Sequence, residues 1–221
     1  MKKHVVIAIP AYTGTVHLGT MRSLMADALR LVSRGDVLSI DNECGGAEIS
    51  TLRAVMVARF LAGKGTHLVM VDHDVCWEAG GLCRLIDAGV DCVAGVYPRR
   101  ELPISYPVHF LGDGQTHDVV NGLVEVKAVP AGFLCMSRPM LEQMTQAYAD
   151  LSFRSSKTPH PVVDLFGNVH VDGMKLSEDL SFCHRWRALG GRVHIIPDMT
   201  MAHVGPHIFT GRLGELQERA A

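Results

Sequence analysis

The chain has 221 residues, 48% hydrophobic and 20% charged, which excludes wholesale disorder and leaves material for a sizeable core. Its 21 basic and 23 acidic side chains give a formal charge of −2, which excludes a strongly basic nucleic-acid binder but not a local basic patch. The 6 cysteines are scattered without a C-x-x-C pair, so reduced thiols are expected rather than disulfides or a zinc knot.

Taken in order, Val5–Ile9 reads as a buried strand ending at Pro10. Val16 to Val32 is predicted helical, with apolar residues at Leu24, Met25, Ala28, Leu29 and Val32 in helical spacing. Val37–Ile40 is a second strand. Ile49–Leu61 is a second helix, with Leu52, Val55, Met56 and Phe60 on one face. His67–Val71, a helix at Ala79–Ala88 and a strand at Cys92–Ala94 complete a strand–helix alternation. That alternation implies right-handed crossovers and a largely parallel sheet covered on both faces, hence an α/β fold in a single domain.

The second half is less regular. Gly95 to Lys127 holds short β-like pieces at Val108–Leu111 and Leu123–Val126. Ala128–Met136 reads as one buried strand and Pro139–Tyr148 as a helix, whereas Asp150 to Lys175 has no periodicity. Ser177 is placed to cap a helix running to Leu189, with Glu178 and Asp179 in its first turn and Gly190-Gly191 as its stop. Val193–Ile196 is the last predicted strand. No apolar run approaches the ~20 residues that span a bilayer. The run after Met1-Lys2-Lys3-His4 is too short for a signal-peptide core, so a cytoplasmic protein is expected.

Three groups of residues have chemical potential. Asp72-His73-Asp74 follows the strand Leu68-Val69-Met70-Val71. In an extended chain its two carboxylates would share one side, leaving His73 on the other. Hard oxygen ligands at a strand end suit Mg²⁺ or Mn²⁺ held with substrate phosphates; the plain alternative is a solvated acidic turn. His203 lies downstream of the last strand; a lone histidine among 12 is more often structural than a ligand. Glu178 and Asp179 either cap a helix or offer a general base.

Strand–Pro10-Ala11-Tyr12, strand–Asp72-His73-Asp74, Gly95-Val96-Tyr97-Pro98-Arg99-Arg100, Ala131-Gly132-Phe133-Leu134, Ser177-Glu178-Asp179-Leu180 and His203-Val204-Gly205 occur in an order that resembles a GT-A (Rossmann-like) glycosyltransferase. The closest resemblance is to compact family-2-like enzymes of bacteria and phages, over roughly Val5 to Gly205. It implies a nucleotide-binding half over about 1–98 and an acceptor and catalytic half over about 99–221.

The resemblance makes Asp72 and Asp74 a D-x-D: the first contacts ribose or metal-bound water, and the second ligates Mn²⁺ or Mg²⁺ together with His203. It places Pro10, Ala11, Tyr12 and Thr13 around the base and ribose, Asp41 or Asn42 at the base edge or ribose, and Arg53 near the phosphates. For Arg53 a solvated helix face is an equal alternative. Gly132 allows close approach to backbone. Asp179 is the expected base in inverting relatives or an orienting group in retaining ones, with Glu178 beside it. Trp186 is expected in the core. The expected donor is a nucleoside-diphosphate sugar, UDP-sugar favoured.

The acceptor is a hydroxyl on a polysaccharide, lipid, protein or small molecule, or on a hydroxymethylated pyrimidine in DNA. For the DNA reading, Arg99, Arg100, Arg154, Lys157 and His160 would form a basic rim. The resemblance also implies that Asp150–Lys175 and the chain end after His203 fold over the donor. A sugar nucleotidyltransferase and an inactive binding module are the weaker alternatives, and a monomer or homodimer is expected.

Overall fold

The computed structural model describes residues 2–46, 48–112 and 118–214. The first half runs β1 (His4–Pro10), α1 (Leu18–Ser33), β2 (Val37–Glu43), α2 (Ile49–Ala62), β3 (His67–Val71), β4 (Val75–Trp77), α3 (Gly81–Asp87) and β5 (Cys92–Gly95). Next come β6 (His109–Phe110), β7 (Val124–Ala128), β8 (Phe133–Ser137), α4 (Arg138–Ala147), β9 (Ser152–Phe153), β10 (Val162–Val163), β11 (His170–Val171) and β12 (Met174–Lys175). The chain continues with α5 (Glu178–Ala188), β13 (Val193–Ile196), β14 (Met201–Val204) and β15 (Ile208–Gly211).

An 8-stranded sheet has the order β2-β1-β3-β8-β5-β13-β7-β6. Strands β2, β1, β3, β5 and β13 point one way, as the alternating pattern predicts. β8 runs against them between β3 and β5, and β7 runs against β13. Side chains alternate across the sheet. Leu68, Met70, Leu134 and Met136 pack with Met56 and Phe60 of α2, Met140 of α4 and Phe182 of α5. Val69, Val71, Phe133 and Cys135 pack with Leu24 of α1 and Leu82 and Leu85 of α3. Burial on both faces is why β3 reads as an unbroken apolar run.

The structure departs from the sequence reading at several points. Ala128–Met136 is not one strand: β7 ends at Ala128, and β8 begins only at Phe133. Pro130 cannot donate to a ladder, yet Val129 and Ala131 stay buried, so the apolar pattern hides the break. Asp150–Lys175, which shows no periodicity in the sequence, holds two short antiparallel hairpins, β9–β10 and β11–β12. Phe166 stacks on Phe182 at 4.5 Å, and Arg185 donates to the Leu165 and Gly167 carbonyls at 3.0 and 2.6 Å. Strands of two residues have no periodicity to read.

Of the apolar residues whose spacing predicts α1, only some face the core. Thr20, Leu24, Asp27 and Leu31 are buried, while Met25, Leu29 and Val32 face out. Asp27 sets which face turns inward: its carboxylate accepts from Trp77 Nε1 (2.9 Å), Gly80 N (2.6 Å) and Leu82 N (2.9 Å). An apolar residue at 27 would orphan these donors, at about 1–3 kcal/mol for each one left buried and unpaired. Ser177 heads α5, but its side chain makes no capping bond. Trp186 lies in the core as expected, donating to the Arg192 carbonyl at 3.0 Å.

A small sheet, β15-β14-β4, has no counterpart in the sequence reading. It pairs His203 with Val75 and so brings the end of the described chain back to the end of β3. All 6 cysteines are free. Among the described residues, no helix is long and apolar enough to cross a membrane.

Candidate active site

Past the carboxyl ends of β1 and β3 lies a cleft of about 340 Å³. Pro10, Tyr12, Arg53, Asp72, His73, Asp74, Arg100, Glu178 and His203 are among its lining residues. Open α/β sheets bind ligands at such strand ends.

Arg53 organises the cleft floor. It projects from α2, is 3% exposed, and donates to Asp179 (2.5 Å), Glu178 (3.2 Å) and Asp72 (3.0 Å). Its Nε is buried without a partner, and the Phe166 ring lies 6.0 Å from the guanidinium. The planar fork lets one cation serve three carboxylates, which a lysine ammonium cannot match in geometry. These carboxylates in turn hold the guanidinium charged, raising its pKa despite burial.

Asp179 sits in the first turn of α5. Burial pushes its carboxyl up to about 6; Arg53 and the Ala131 N–H oppose the rise, and the Glu178 and Asp72 charges add to it. Tyr97 stands behind Asp72, its hydroxyl 3.4 Å from Oδ2; burial first, then the Asp72 and Asp179 charges, keep the phenol protonated. The Asp72 N–H donates to the Gly132 carbonyl at 2.9 Å. A Cβ at Gly132 would overlap the Tyr97 hydroxyl and the Asp72 carboxylate, so a larger residue there would displace these two side chains.

The second half of the cleft centres on Asp74. Residues 72–74 form a turn, so strand alternation fails there and His73 lines the same cleft as both aspartates. The Val204 N–H ties the turn to β14 at 2.9 Å from the Asp74 carbonyl, placing His203 Nε2 3.7 Å from Asp74 Oδ1. His203 Nδ1 lies 3.1 Å from the Pro98 carbonyl, which can only accept, so the proton sits on Nδ1 and Nε2 offers a lone pair to the cleft. Burial, then Arg100, lowers the His203 pKa against the pull of Asp74 and keeps the ring neutral.

These residues suit a divalent cation. Two donors about 2.1 Å from one ion stand roughly 3.0 Å apart at a right angle and roughly 4.2 Å apart in trans, and 3.7 Å falls between. A ligating imidazole fixed by its other N–H on a carbonyl is the usual arrangement. Among the described residues, no group of three or more His, Cys, Asp or Glu side chains is placed to hold a metal. Such an ion would therefore be completed by ligand oxygens. Arg100 ion-pairs with Asp74 and would have to release it.

No protein-family profile matches this sequence, and no curated protein matches it. Solved structures do. A197 from STIV superposes with a TM-score of 0.62 at 16% identity, over 95% of this chain and 93% of that one. GalNAc-T7, solved with UDP, GalNAc and Mn²⁺, superposes with a TM-score of 0.52 at 8% identity over 91% of this chain. The chain spans 44% of the GalNAc-T7 chain. The fold is GT-A.

The GT-A framework brings Pro10, Tyr12, Arg53, Asp72, Asp74, Glu178 and His203 to one cleft, with Asp179 and Gly132 bonded to its floor residues. Ala11 is buried, its N–H on the Glu43 carbonyl. Thr13 is exposed beside Thr15, and Asn42 is exposed on the sheet-edge strand β2; neither is among the cleft's lining residues. Asp41 is engaged by Arg59 at 3.1 Å.

The expected basic rim does not form one surface. Arg100 is in the cleft, Lys157 is neutralised by Glu43 at 2.6 Å, and Arg154 and His160 line a separate cleft of about 660 Å³. Arg99 lies 4.0 Å from Glu101. Nor do any residues of Asp150–Lys175 line this cleft: β10 packs against α2, and Phe166 stacks on Phe182 of α5. Beyond His203 the chain pairs as β15, and everything past Gly214 lies outside the described residues. Tyr97 and the Asp74–Arg100 pair were not assigned these roles from sequence, although Tyr97 and Arg100 lie in the quoted Gly95–Arg100 segment.

Proposed function

We propose that this GT-A chain is a glycosyltransferase that moves a sugar from a nucleoside-diphosphate donor to an acceptor hydroxyl. The observation that carries the proposal is the convergence of a neutral His203 lone pair and the Asp74 carboxylate on one side of the cleft, with the half-buried Asp179 carboxyl paired to Arg53 at its floor. Asp74 and His203 would hold Mn²⁺ or Mg²⁺, which when bound supplies Lewis-acid neutralisation of the leaving diphosphate. A UDP-sugar is the favoured donor, supported by the UDP and Mn²⁺ in the GalNAc-T7 structure.

The chain's own residues would then divide the work. Tyr12, 64% exposed at the cleft mouth, offers its ring to the base. Arg53 holds Asp72, Glu178 and Asp179 in fixed relation, so the donor meets a preorganised floor. The acceptor oxygen bonds to the anomeric carbon as the bond to the diphosphate oxygen breaks, and Asp179 takes the acceptor's proton. This role for Asp179 implies inversion at the anomeric carbon. Hydroxymethylated pyrimidine in DNA is one acceptor class to include in a screen, although Arg100 is the only member of the proposed basic rim that lines the cleft.

The test is UDP binding by calorimetry with Mn²⁺ and with EDTA. Wild type is expected to bind at least about tenfold more tightly with Mn²⁺, and Asp74→Ala to lose that difference while keeping its melting temperature. UDP binding by wild type that ignores metal would assign the phosphate-neutralising role to Arg100 and overturn the metal site.

A further inference from the structure

Helix α1 has a second apolar face that no described residue covers. Leu18, Met21, Met25, Leu29 and Val32 range from 42% (Met21) to 72% (Leu29) exposed. At 100° per residue this set is centred roughly 130° around the helix from the buried set of Thr20, Leu24, Asp27 and Leu31. It is therefore a separate stripe, not a ragged margin of the core. Five such side chains present on the order of 500 Å², near the upper end of apolar patches on monomers, where interaction sites are found.

The spacing identifies the occupant. Successive members of the stripe are three, four, four and three residues apart, a mean of 3.5, as in a helix–helix seam. The series reads the same from either end, with Met25 at its centre. A two-fold interface requires such self-complementarity: if residue i meets j, then j meets i. Antiparallel packing about Met25 sets Leu18 against the partner's Val32, Met21 against the partner's Leu29, and Met25 against the partner's Met25.

The charges agree with this pairing. Arg22 lies opposite the partner's Ala28, and the two Arg22 side chains are offset by about 9 Å along the axis. Arg30 turns towards the buried Asp27 at 3.6 Å. Next to α1, β2 forms one edge of the sheet and leaves Val37 and Ile40 exposed. With both copies' stripes and their surround covered, the buried area clears the ~1,000 Å² expected of a stable interface.

We propose that α1 is the seam of a two-fold homodimer centred on Met25. Sedimentation velocity from about 1 to 100 μM is expected to show wild type at twice the monomer mass at the upper end. Met25→Glu puts like charges on the axis and is expected to weaken dimerisation at least about a hundredfold. Because Met25 is exposed, this variant should keep its melting temperature within a few degrees.

A second measurement fixes the register. In a Cys44→Ser background, Met25→Cys is expected to give a disulfide-linked dimer on mild oxidation. Leu18→Cys is not, because two copies of residue 18 lie about 21 Å apart along the axis. A wild-type monomer at every concentration would overturn the proposal, as would a dimer that survives Met25→Glu or self-linking at 18 as ready as at 25. Monomeric protein that floats with anionic phospholipid vesicles through Met25 and Leu29 would assign the stripe to a lipid surface instead.

Discussion

Arg53→Met is expected to abolish turnover and lower the melting temperature by on the order of 10 °C. Arg53 pairs with Asp72, Glu178 and Asp179 together. Methionine fills similar volume but leaves three carboxylates facing one another at the cleft floor. Removing one partner from a buried ion pair typically costs about 3–5 kcal/mol, and for a chain of this size each kcal/mol is worth about 2–4 °C. The loss should shrink in acid, where protonation of the carboxylates relieves their repulsion. Arg53→Lys keeps the charge but not the fork, so it should recover part of the stability and little of the activity. Thermal melts at pH 5 and pH 8, read beside turnover, check both statements. A wild-type melting temperature in Arg53→Met would show that the hub does not organise the site.

Asp179→Asn is expected to lower kcat about a thousandfold with little change in donor affinity, since a base acts only when the acceptor proton is in flight. The same assignment sets the pH dependence. The carboxyl titrates at about 6 instead of near 3.8, because burial outweighs Arg53. Activity that needs the carboxylate should therefore fall about tenfold per unit below pH 6 and level off above it. Stability runs the other way. A raised folded-state pKa contributes stability in full below the unfolded value of 3.8, and that contribution is lost as pH rises through about 6. Asparagine cannot ionise, so at pH 7 the variant should melt no lower than wild type. A pH–rate profile without an acid limb near 6, or unchanged kcat in the variant, would remove Asp179 as the base.

Much of this architecture was legible because sheet burial leaves a plain signature. β1, β3 and β5 are apolar runs sealed on both faces, and α2 and α5 supply the arginine and the acids at their starts. The reversed strand β8 was not legible, because apolar side chains stay buried through the Val129–Gly132 crossing. The β4–β14–β15 sheet was hidden by strands of only three or four residues, although it seats His203 beside Asp74.

Arg53 was read as equally a surface residue, yet a signal was available. Leu52-Arg53-Ala54-Val55-Met56-Val57-Ala58 has no polar face to solvate an arginine, so its charge had to find carboxylates inside. The exposed stripe on α1 could not be told from a core face in the sequence, because apolar spacing shows that a face exists without showing what covers it. Asp27 decided which face turned inward.

Release of free nucleoside diphosphate from UDP-, GDP-, ADP- and dTDP-sugars, measured with Mn²⁺, with Mg²⁺ and with EDTA, tests the proposed transferase most directly. Slow cleavage of one donor, dependent on metal and abolished by Asp74→Ala, is the expected result. No release from any donor, together with no thermal shift from any nucleotide plus metal, would contradict it and leave the GT-A fold as a scaffold without donor chemistry.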